Sequence, residues 1–382
     1  MSASLLEMSP LVAASDPDLT VDLDRRRRLA WSLSGVATVI WVIVVVAFDM
    51  VERVADQWEA AVTMLFGSFL AGSSPEGGGA VAFPVLTKAL DVAAPTARSF
   101  GLFIQAVGMS MAVVAIVLNR RPVHRRAAVG GTVAAIVGFL LATVIGNDFD
   151  QPFAPSIMGV GFVKATFSIV LATTSILMIR HLRHDDAVDH RELTWNRRLD
   201  LGVVVAALAG GVLSALTGTG ANIVVFLFLV VLADVSPKVA LPTAITVMAA
   251  VSVVGFAVLG LGDGHLDVSL VDTRVVEVGG AMTDLPAAQA DLLAMWLAAV
   301  PVVVWGAPLG SLAASLVSER VLVRFVAVLA AIEVVTTVIL VEELRTDVAL
   351  GAYLLIGLVA VPAGLVALRS RRRAIFATDP IG

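Results

Sequence analysis

Long apolar runs, separated by short polar linkers, dominate the pattern of this chain. Eight of these runs are unbroken and have about 20 residues, the length that an α-helix needs to cross a bilayer. They are Leu29–Phe48, Ser99–Leu118, Ala127–Gly146, Ile157–Ile179, Ala240–Leu261, Leu292–Ala314, Val321–Val341 and Val348–Leu368. The pattern therefore predicts an all-α polytopic membrane protein.

Two further apolar stretches are interrupted by glycine-rich segments. The first break, residues 72–79, reads Gly-Ser-Ser-Pro-Glu-Gly-Gly-Gly, and the second break, residues 217–222, reads Thr-Gly-Thr-Gly-Ala-Asn. Unwound backbone survives at membrane depth only where it is buried in protein or lines a cavity. A matched pair of interrupted segments, one in each half, indicates the binding site of a transporter.

Composition supports the membrane class and excludes some chemistry. Hydrophobic residues make up 58% of the chain and charged residues 15%, and the mean hydropathy is +0.94. A soluble domain carries about 25% charged residues. The chain has no cysteine, which excludes disulfides, thiolate metal sites and thiol catalysis.

The basic residues predict the side of the membrane on which each linker lies. If the N-terminal tail is cytoplasmic and each broken segment leaves on the side it entered, 20 of the 26 basic residues are cytoplasmic. If both broken segments crossed instead, the split would be 13 inside and 12 outside. Cytoplasmic loops carry an excess of Lys and Arg, so we predict re-entrant segments. The basic residues outside the cytoplasmic group are Arg53, Lys88, Arg98, Arg274 and Arg345, with Lys164 inside a span.

This topology predicts an inverted duplication. Repeat A (60–179) and repeat B (201–341) each contain a Gly-broken re-entrant segment plus three spanning helices, and one extra helix lies at each end. The remaining parts are a cytoplasmic tail (1–28), the first spanning helix with an outer loop (29–59), a cytoplasmic linker (180–200), a periplasmic insertion (262–290), and the last spanning helix with a basic tail (342–382). Both termini are expected in the cytoplasm.

Glycine-rich motifs occur in the same order in both halves. Residues 211–222 run from an apolar helix into the break Gly-Thr-Gly-Ala-Asn, residues 235–244 open the next helix, and residues 306–310 read Gly-Ala-Pro-Leu-Gly. The first half repeats the theme around the first break and then continues to the basic residues 120–126. This arrangement resembles the sulfite exporter (TauE/SafE) family over about residues 60–341.

The resemblance implies a carrier that exports sulfite, an organosulfonate or a related carboxylate across the bacterial inner membrane. It implies no enzymatic activity and no cofactor. The chain departs from the family pattern at Pro75, which replaces a glycine, at Glu76, where an apolar residue is usual, and at Asn222, which replaces the last glycine of the second break. A change at any one of these three positions can alter which anion is carried.

The residues of the breaks predict an anion site independently of the family. Half-helices that begin at Gly79 and Asn222 would present unpaired N–H groups and a partial positive charge at the bilayer midplane. Glycine lets the backbone approach a ligand closely, and hydroxyl and amide groups add donors. The predicted substrate-binding residues are Ser73, Ser74, Glu76, Gly77, Gly78, Gly79, Thr217, Gly218, Thr219, Gly220 and Asn222. The alternative is that the glycines only allow close helix packing.

Glu76 is the unusual member of this set. A carboxylate at membrane depth is costly unless it is paired or neutral, and as an anion it would repel the substrate. We therefore predict that Glu76 takes up a proton and couples it to transport, with Lys164 as the opposite charge. Alternatively, Glu76 faces a water-filled vestibule and Lys164 reaches an interface. Hydrogen bonds between helices explain Gln105 and Glu333, which also lie within spans.

Other functions remain as alternatives. An anion channel would show a continuous pore and rates that do not respond to a proton gradient. An intramembrane enzyme is disfavoured because the spans hold no nucleophile–base pair and all five histidines are predicted in loops. Gly260–Asp263 matches a G-x-G-D protease motif, but the second Asp that should follow a Tyr is missing, since Tyr353 precedes a leucine.

The expected partners are a small anion and the lipid bilayer. No nucleic acid is expected, because each basic cluster flanks a span and acts as a topology determinant. The histidines and aspartates of residues 181–190 are those of a solvated linker in our interpretation, with metal binding as the alternative. The oligomeric state is open, and a homodimer is one option.

Overall fold

The computed structural model of the protein describes residues 17–90, 92–145, 160–184, 195–262, 273–278, 281–286, 291–316, 318–341, 343–371 and 375–376. Eight helices in these ranges are long and apolar enough to cross a membrane. The predicted all-α polytopic class is confirmed.

The chain forms fourteen helices in the described residues. Those of the first half are α1 (Pro17–Ala47), α2 (Val51–Ala55), α3 (Trp58–Ser73), α4 (Gly79–Pro84), α5 (Ala94–Leu118), α6 (Arg125–Ile145) and α7 (Val160–His184). Those of the second half are α8 (Arg197–Thr217), α9 (Ala221–Leu227), α10 (Pro237–Gly255), α11 (Leu292–Leu316), α12 (Glu319–Leu340), α13 (Glu343–Thr346) and α14 (Val348–Ser370). π-Helical turns at Val85–Ala89, Phe228–Leu232 and Phe256–Gly262 extend α4, α9 and α10.

A small hairpin is the exception to the helical structure in the described residues. Strand β1 (Thr273–Val278) pairs antiparallel with β2 (Ala281–Pro286), with Thr273 opposite Pro286. Both strands lie in the predicted insertion, where the valines of β1 favour extended backbone. The remaining residues of the insertion, including Asp263 of the G-x-G-D motif, lie outside the described residues.

Some helix boundaries differ from the sequence prediction. Helix α1 begins at Pro17 rather than at Leu29, so it includes part of the predicted tail. Helix α7 continues to His184, so the expectation that all histidines lie in loops is wrong for His181 and His184. The rest of the histidine-containing linker, residues 185–194, lies outside the described residues.

The eight helices that are long and apolar enough to span a membrane also differ from the eight spans that the sequence predicted. Helix α8 has 21 residues and qualifies by length and composition, although the sequence treated it as half of a re-entrant segment. Helix α12 forms where the sequence predicts a spanning helix, and its described residues include the apolar stretch Ala330–Leu340.

Helix α11 lies alongside both α3 and α5 and runs in the same direction as each. Arg53, just before α3, pairs with Asp291, just before α11. The Trp296 indole donates a hydrogen bond to the Phe103 carbonyl at 3.1 Å, and Arg121, beyond the end of α5, donates to the carbonyl of Ser311, near the end of α11, at 2.8 Å. Helices α3 and α5 therefore begin at the same end of the bundle.

Helix α6 lies alongside both α8 and α10 and runs in the same direction as each. Just before α6, the His124 ring packs on Trp195, just before α8, at 3.8 Å between centroids. The His124 N–H also donates to Thr243, in the first half of α10, at 2.9 Å, and Gly131 faces both Val203 and Val247. Helices α8 and α10 therefore begin at the end where α6 begins, which is the end where α5 finishes.

The helix pairs α3–α11 and α6–α8 make the same close contact. In each pair a glycine of either helix lies against a carbonyl of the other, and a Cβ there would be 2.0–2.1 Å from the oxygen. The contacts are Gly72 with Ala307, Gly310 with Phe69, Gly138 with Leu208 and Gly211 with Ala135. No side chain fits at these positions, so these glycines, Gly72 of the first break included, serve helix packing.

Candidate functional site

Both glycine-rich segments are unwound. Helix α3 ends at Ser73, Ser74 is extended (φ −132°, ψ 157°), and Gly77 is left-handed (φ 72°) before α4 begins. Helix α8 ends at Thr217 and is capped by the left-handed Gly218 (φ 76°), and Gly220 (φ 150°) precedes α9. Positive φ angles of this kind favour glycine, which has no Cβ to clash with the backbone.

The two breaks meet in space, although about 140 residues separate them along the chain. Gly79 lies against Thr219, and a Cβ at Gly79 would be 2.8 Å from the Thr219 Cβ. Gly77 lies against Asn222, whose Nδ2 would be 2.8 Å from a Cβ at Gly77. The Thr219 hydroxyl oxygen also lies 3.4 Å from the Glu76 carbonyl oxygen. The breaks therefore form one cluster.

Gln105 joins this cluster to the middle of the 25-residue helix α5. Its Nε2 donates to the Gly218 carbonyl at 2.8 Å and to the Gly101 carbonyl at 2.9 Å. Its Oε1 lies 3.4 Å from the Thr219 hydroxyl oxygen. The sequence explained Gln105 by bonding between helices and did not place it in the site. The feature of the sequence that pointed to Gln105 was a single amide side chain within an apolar span.

The cluster is shut off from solvent. Glu76, Thr219 and Asn222 have no exposed surface, and Gln105 is 1% exposed. The conformation is therefore occluded, with the two breaks closed against each other and against α5.

Three of the predicted donor hydroxyls are used within their own segments. Ser73 donates to the Phe69 carbonyl at 2.8 Å, Ser74 to the Leu70 carbonyl at 3.2 Å, and Thr217 to the Thr219 carbonyl at 2.6 Å. Ser and Thr hydroxyls at helix ends commonly bond to nearby carbonyls in this way. The expectation that these hydroxyls face a ligand is therefore not met in this conformation.

Asn222 provides the available donor. Its Oδ1 accepts from the Gly220 N–H and from the Thr219 hydroxyl, both at 3.3 Å. Its buried Nδ2 has no hydrogen-bond partner among the described residues. A buried polar group without a partner costs about 1–3 kcal/mol, so a ligand with an acceptor atom would satisfy it.

The predicted glycines divide into two kinds. Gly77 and Gly79 face the other break, as described. Gly78 instead lies against the Gly67 carbonyl, 3.0 Å from where its Cβ would be, and Gly220 lies against Leu213 at 2.6 Å. Gly78 and Gly220 therefore pack within their own halves, whereas Gly77 and Gly79 line the meeting point. The fifth predicted glycine, Gly218, lies against the Arg98 carbonyl on α5, 2.4 Å from where its Cβ would be.

The expected ion pair between Glu76 and Lys164 does not form. Both carboxyl oxygens of Glu76 are buried and lack a hydrogen-bond partner among the described residues. Lys164 lies on α7, one turn before Ser168, and Ser168 belongs to a different polar cluster. The prediction failed because the fold, rather than the linear order of charges, decides which charges meet.

That second cluster is centred on Lys88 and Glu333. The Lys88 Nζ donates to Glu333 Oε1 at 2.5 Å and to the Thr337 hydroxyl at 2.7 Å, and Ser168 donates to the same carboxylate oxygen at 3.1 Å. The side chains of Lys88 and Glu333 are 3% and 5% exposed. The cluster ties the π-helical turn after α4 to α7 and α12.

Comparison with known proteins identifies the family of this chain. The family described as sulfite exporter TauE/SafE matches residues 60–337, well over half of the chain, and the match includes both breaks. A search of the curated proteins and a search of the solved structures found no match.

Proposed function

Because the chain belongs to the sulfite exporter TauE/SafE family, whose members are membrane transporters and not enzymes, we propose that it is a secondary carrier for a small anion. The proposed substrate is sulfite, an organosulfonate or a related carboxylate, exported across the bacterial cytoplasmic membrane. The observation that carries the proposal is the meeting of the two breaks in one buried cluster beside the middle of α5.

The chemistry of the cluster suits an oxyanion. The first N–H groups of a helix have no acceptor within the helix and carry partial positive charge. Helix α9 continues through its π-helical turn to Leu232, and Asn222 in its first turn adds the buried Nδ2 that has no partner among the described residues. Backbone N–H groups and an amide together bind oxyanions well.

The directions of the helices support inverted repeats. Helices α3 and α5 both run parallel to α11, so the first broken segment returns to the end of the bundle from which it started. Helices α8 and α10 both run parallel to α6, so the second broken segment returns to the opposite end. Re-entrant segments from opposite sides, meeting at the midplane, are an arrangement for alternating access. The 20 basic residues then place residues 119–126 in the cytoplasm.

The occluded cluster favours a carrier over the alternative, an anion channel. A channel requires a continuous pore, whereas Glu76, Thr219 and Asn222 are fully buried. A carrier binds its substrate in a closed site that opens to one side at a time.

Flux into proteoliposomes tests this function. Purified protein should exchange labelled sulfite, or another sulfur oxyanion or carboxylate of a test panel, against the same anion inside. Asn222→Leu removes the amide at nearly constant volume, and we expect at least a tenfold lower exchange rate, consistent with losing one buried hydrogen bond. Asn119→Leu, outside the cluster, is the matched control and should exchange normally. Uptake that the anion inside does not accelerate would indicate a channel, and no flux of any panel anion would contradict the proposal.

Coupling to protons is the second part of the proposal. An ionised Glu76 beside a bound anion would be costly and repulsive, and protonation removes both penalties. Anion and proton should therefore bind together. Glu76→Gln imitates the protonated form, so it should retain anion exchange but lose flux driven by a pH gradient. Glu59→Gln, in the first turn of α3, is the control. A normal pH response in Glu76→Gln would show that the carboxyl has no role in coupling.

A further inference from the structure

A cleft opens between α6 and α8 at the end where both helices begin. Its volume is about 470 Å³, and its lining consists of two arginines, one aspartate, three valines and a glycine. These residues are Arg125, Arg126, Val129, Gly130, Asp200, Val203 and Val204. None of them belongs to the cluster at the two breaks, and the proposed transport step does not use them.

The two arginines make the cleft a site for negative charge. Arg125 and Arg126 are exposed, and neither has a hydrogen bond or ion pair with another described residue. Asp200, the carboxylate in the lining, already accepts a hydrogen bond from the Trp195 indole at 2.7 Å. Two guanidinium groups therefore remain to bind a ligand at the mouth of the cleft.

Below the arginines the surface is apolar. On α6, Val129, Val133 and Val137 follow one another at one-turn spacing and are 69%, 61% and 43% exposed. On α8, Val204 and Leu208 are 36% and 38% exposed. Both helices are long and apolar enough to span the membrane, so these side chains face acyl chains. A ligand that fits the whole surface has an anionic head and an apolar body.

We propose that the cleft binds an anionic phospholipid, with the phosphate on Arg125 and Arg126 and the acyl chains along α6 and α8. Guanidinium groups match phosphate through paired N–H···O bonds. Basic pockets between spanning helices on the cytoplasmic side are typical sites for anionic headgroups. The same end of α6 is predicted to be cytoplasmic, so the lipid belongs to the inner leaflet. This proposal does not depend on which anion the protein transports.

Gly130 allows a test that leaves the charges intact. A Cβ at Gly130 would meet no atom within 4 Å, and Gly130 lines the cleft, so Gly130→Leu adds a side chain to the cleft from open space. Gly364, on α14, is an equally open helical glycine. Gly364→Leu is therefore a matched control that adds the same side chain to a different surface.

The experiment measures binding of phosphatidylglycerol and phosphatidylcholine to the purified full-length protein in a neutral detergent by native mass spectrometry. Wild type and Gly364→Leu should bind phosphatidylglycerol preferentially. Each basic residue near an anionic surface contributes about fivefold in affinity, so Arg125→Gln with Arg126→Gln should weaken binding roughly thirtyfold. Gly130→Leu should also lose most binding while keeping both arginines.

Three results would overturn the proposal. The first is equal binding of phosphatidylglycerol by all four proteins. The second is equal binding of phosphatidylcholine by the wild type, since that would exclude recognition of the negative headgroup. The third is displacement of phosphatidylglycerol by an equal concentration of inorganic phosphate, because the cleft would then be a simple anion site. If the double arginine variant does not fold, the comparison of phosphatidylglycerol binding by Gly130→Leu and Gly364→Leu still tests the proposal.

Discussion

At the scale of single residues, the candidate site depends on two positions that carry no side chain. Gly77 and Gly79 lie where the second break approaches the first, and a Cβ at Gly79 would be 2.8 Å from the Thr219 Cβ and 3.1 Å from the Gln105 Nε2. Glycine is therefore needed at this point so that the two breaks can close on each other.

We expect Gly79→Ala to reduce anion exchange at least tenfold, because its methyl group would hold the two breaks apart. Overpacking of this kind costs about 1–3 kcal/mol. Gly101→Ala is the control on the facing helix, since a Cβ there would be at an ordinary 3.6 Å from the Gly218 carbonyl. Exchange rates of both variants are measured in proteoliposomes at equal protein content. Equal, normal rates would mean that close approach at Gly79 does not matter for transport.

The glycines also show where sequence reasoning ends at this scale. The composition of the breaks indicated unwound backbone, because repeated glycines are rare inside a helix without a conformational reason. Which glycines face the other break depends on the rotation of α4 and α9 about their axes. Gly77 and Gly79 face it, whereas Gly78 and Gly220 pack within their own halves. No periodicity in so short a segment carries that information.

At the scale of elements, the Lys88–Glu333 pair holds the return arm of the first broken segment. Lys88 lies in the π-helical turn after α4, and its partners Glu333 and Thr337 lie on α12. The two residues are 245 positions apart, so neither charge indicated the other in the sequence. A buried pair at this position anchors one broken segment to the helices behind it.

Removing one partner of this pair should be far more damaging than removing both. Glu333→Leu leaves a buried charge without a partner, and we expect a loss of about 3–5 kcal/mol of stability. Lys88→Met combined with Glu333→Leu should recover most of it, and thermal unfolding in detergent measures both. Asp291→Ala breaks the more exposed pair with Arg53 and should cost less than about 1 kcal/mol. Additive losses in the Lys88–Glu333 double variant would contradict a paired role.

The helices themselves were predictable because long apolar runs have few alternatives in a bilayer. The length of α8 was not predictable in this way. The glycine break suggested a segment that crosses only half of the membrane, and the basic residues Arg197 and Arg198 interrupt the apolar pattern where the helix begins. The β1–β2 hairpin was missed for a different reason. Its valine-rich strands lie in an insertion between spans, where the hydrophobic pattern of the membrane segments gives no guidance.

At the scale of the whole molecule, two independent arguments support the topology that we propose. The distribution of the basic residues favours re-entrant segments. The packing of α3 and α5 on α11 indicates that the first broken segment returns to the end of the bundle where it starts. The packing of α8 and α10 on α6 indicates the same for the second broken segment. The first argument needs only the sequence, because it depends on the positions of the Lys and Arg residues along the chain. The second needed the structure, since helix direction follows from contacts such as Trp296 with Phe103.

The central claim is that the cluster between the breaks binds the transported anion and opens to each side in turn. The chain has no cysteine, so a single Thr219→Cys variant reports on that cluster directly. A membrane-impermeant maleimide is applied to intact cells and, separately, to inside-out vesicles, with and without a transported organosulfonate that does not react with maleimide. Val123→Cys, in the linker predicted to be cytoplasmic, checks the orientation of both preparations.

The account predicts that Thr219→Cys is labelled from both sides and that the transported anion slows both reactions. It also predicts that Val123→Cys reacts only in the inside-out vesicles and is unaffected by the anion. Labelling of Thr219→Cys from one side only, or at a rate that the anion does not change, would contradict a site of alternating access between the two breaks.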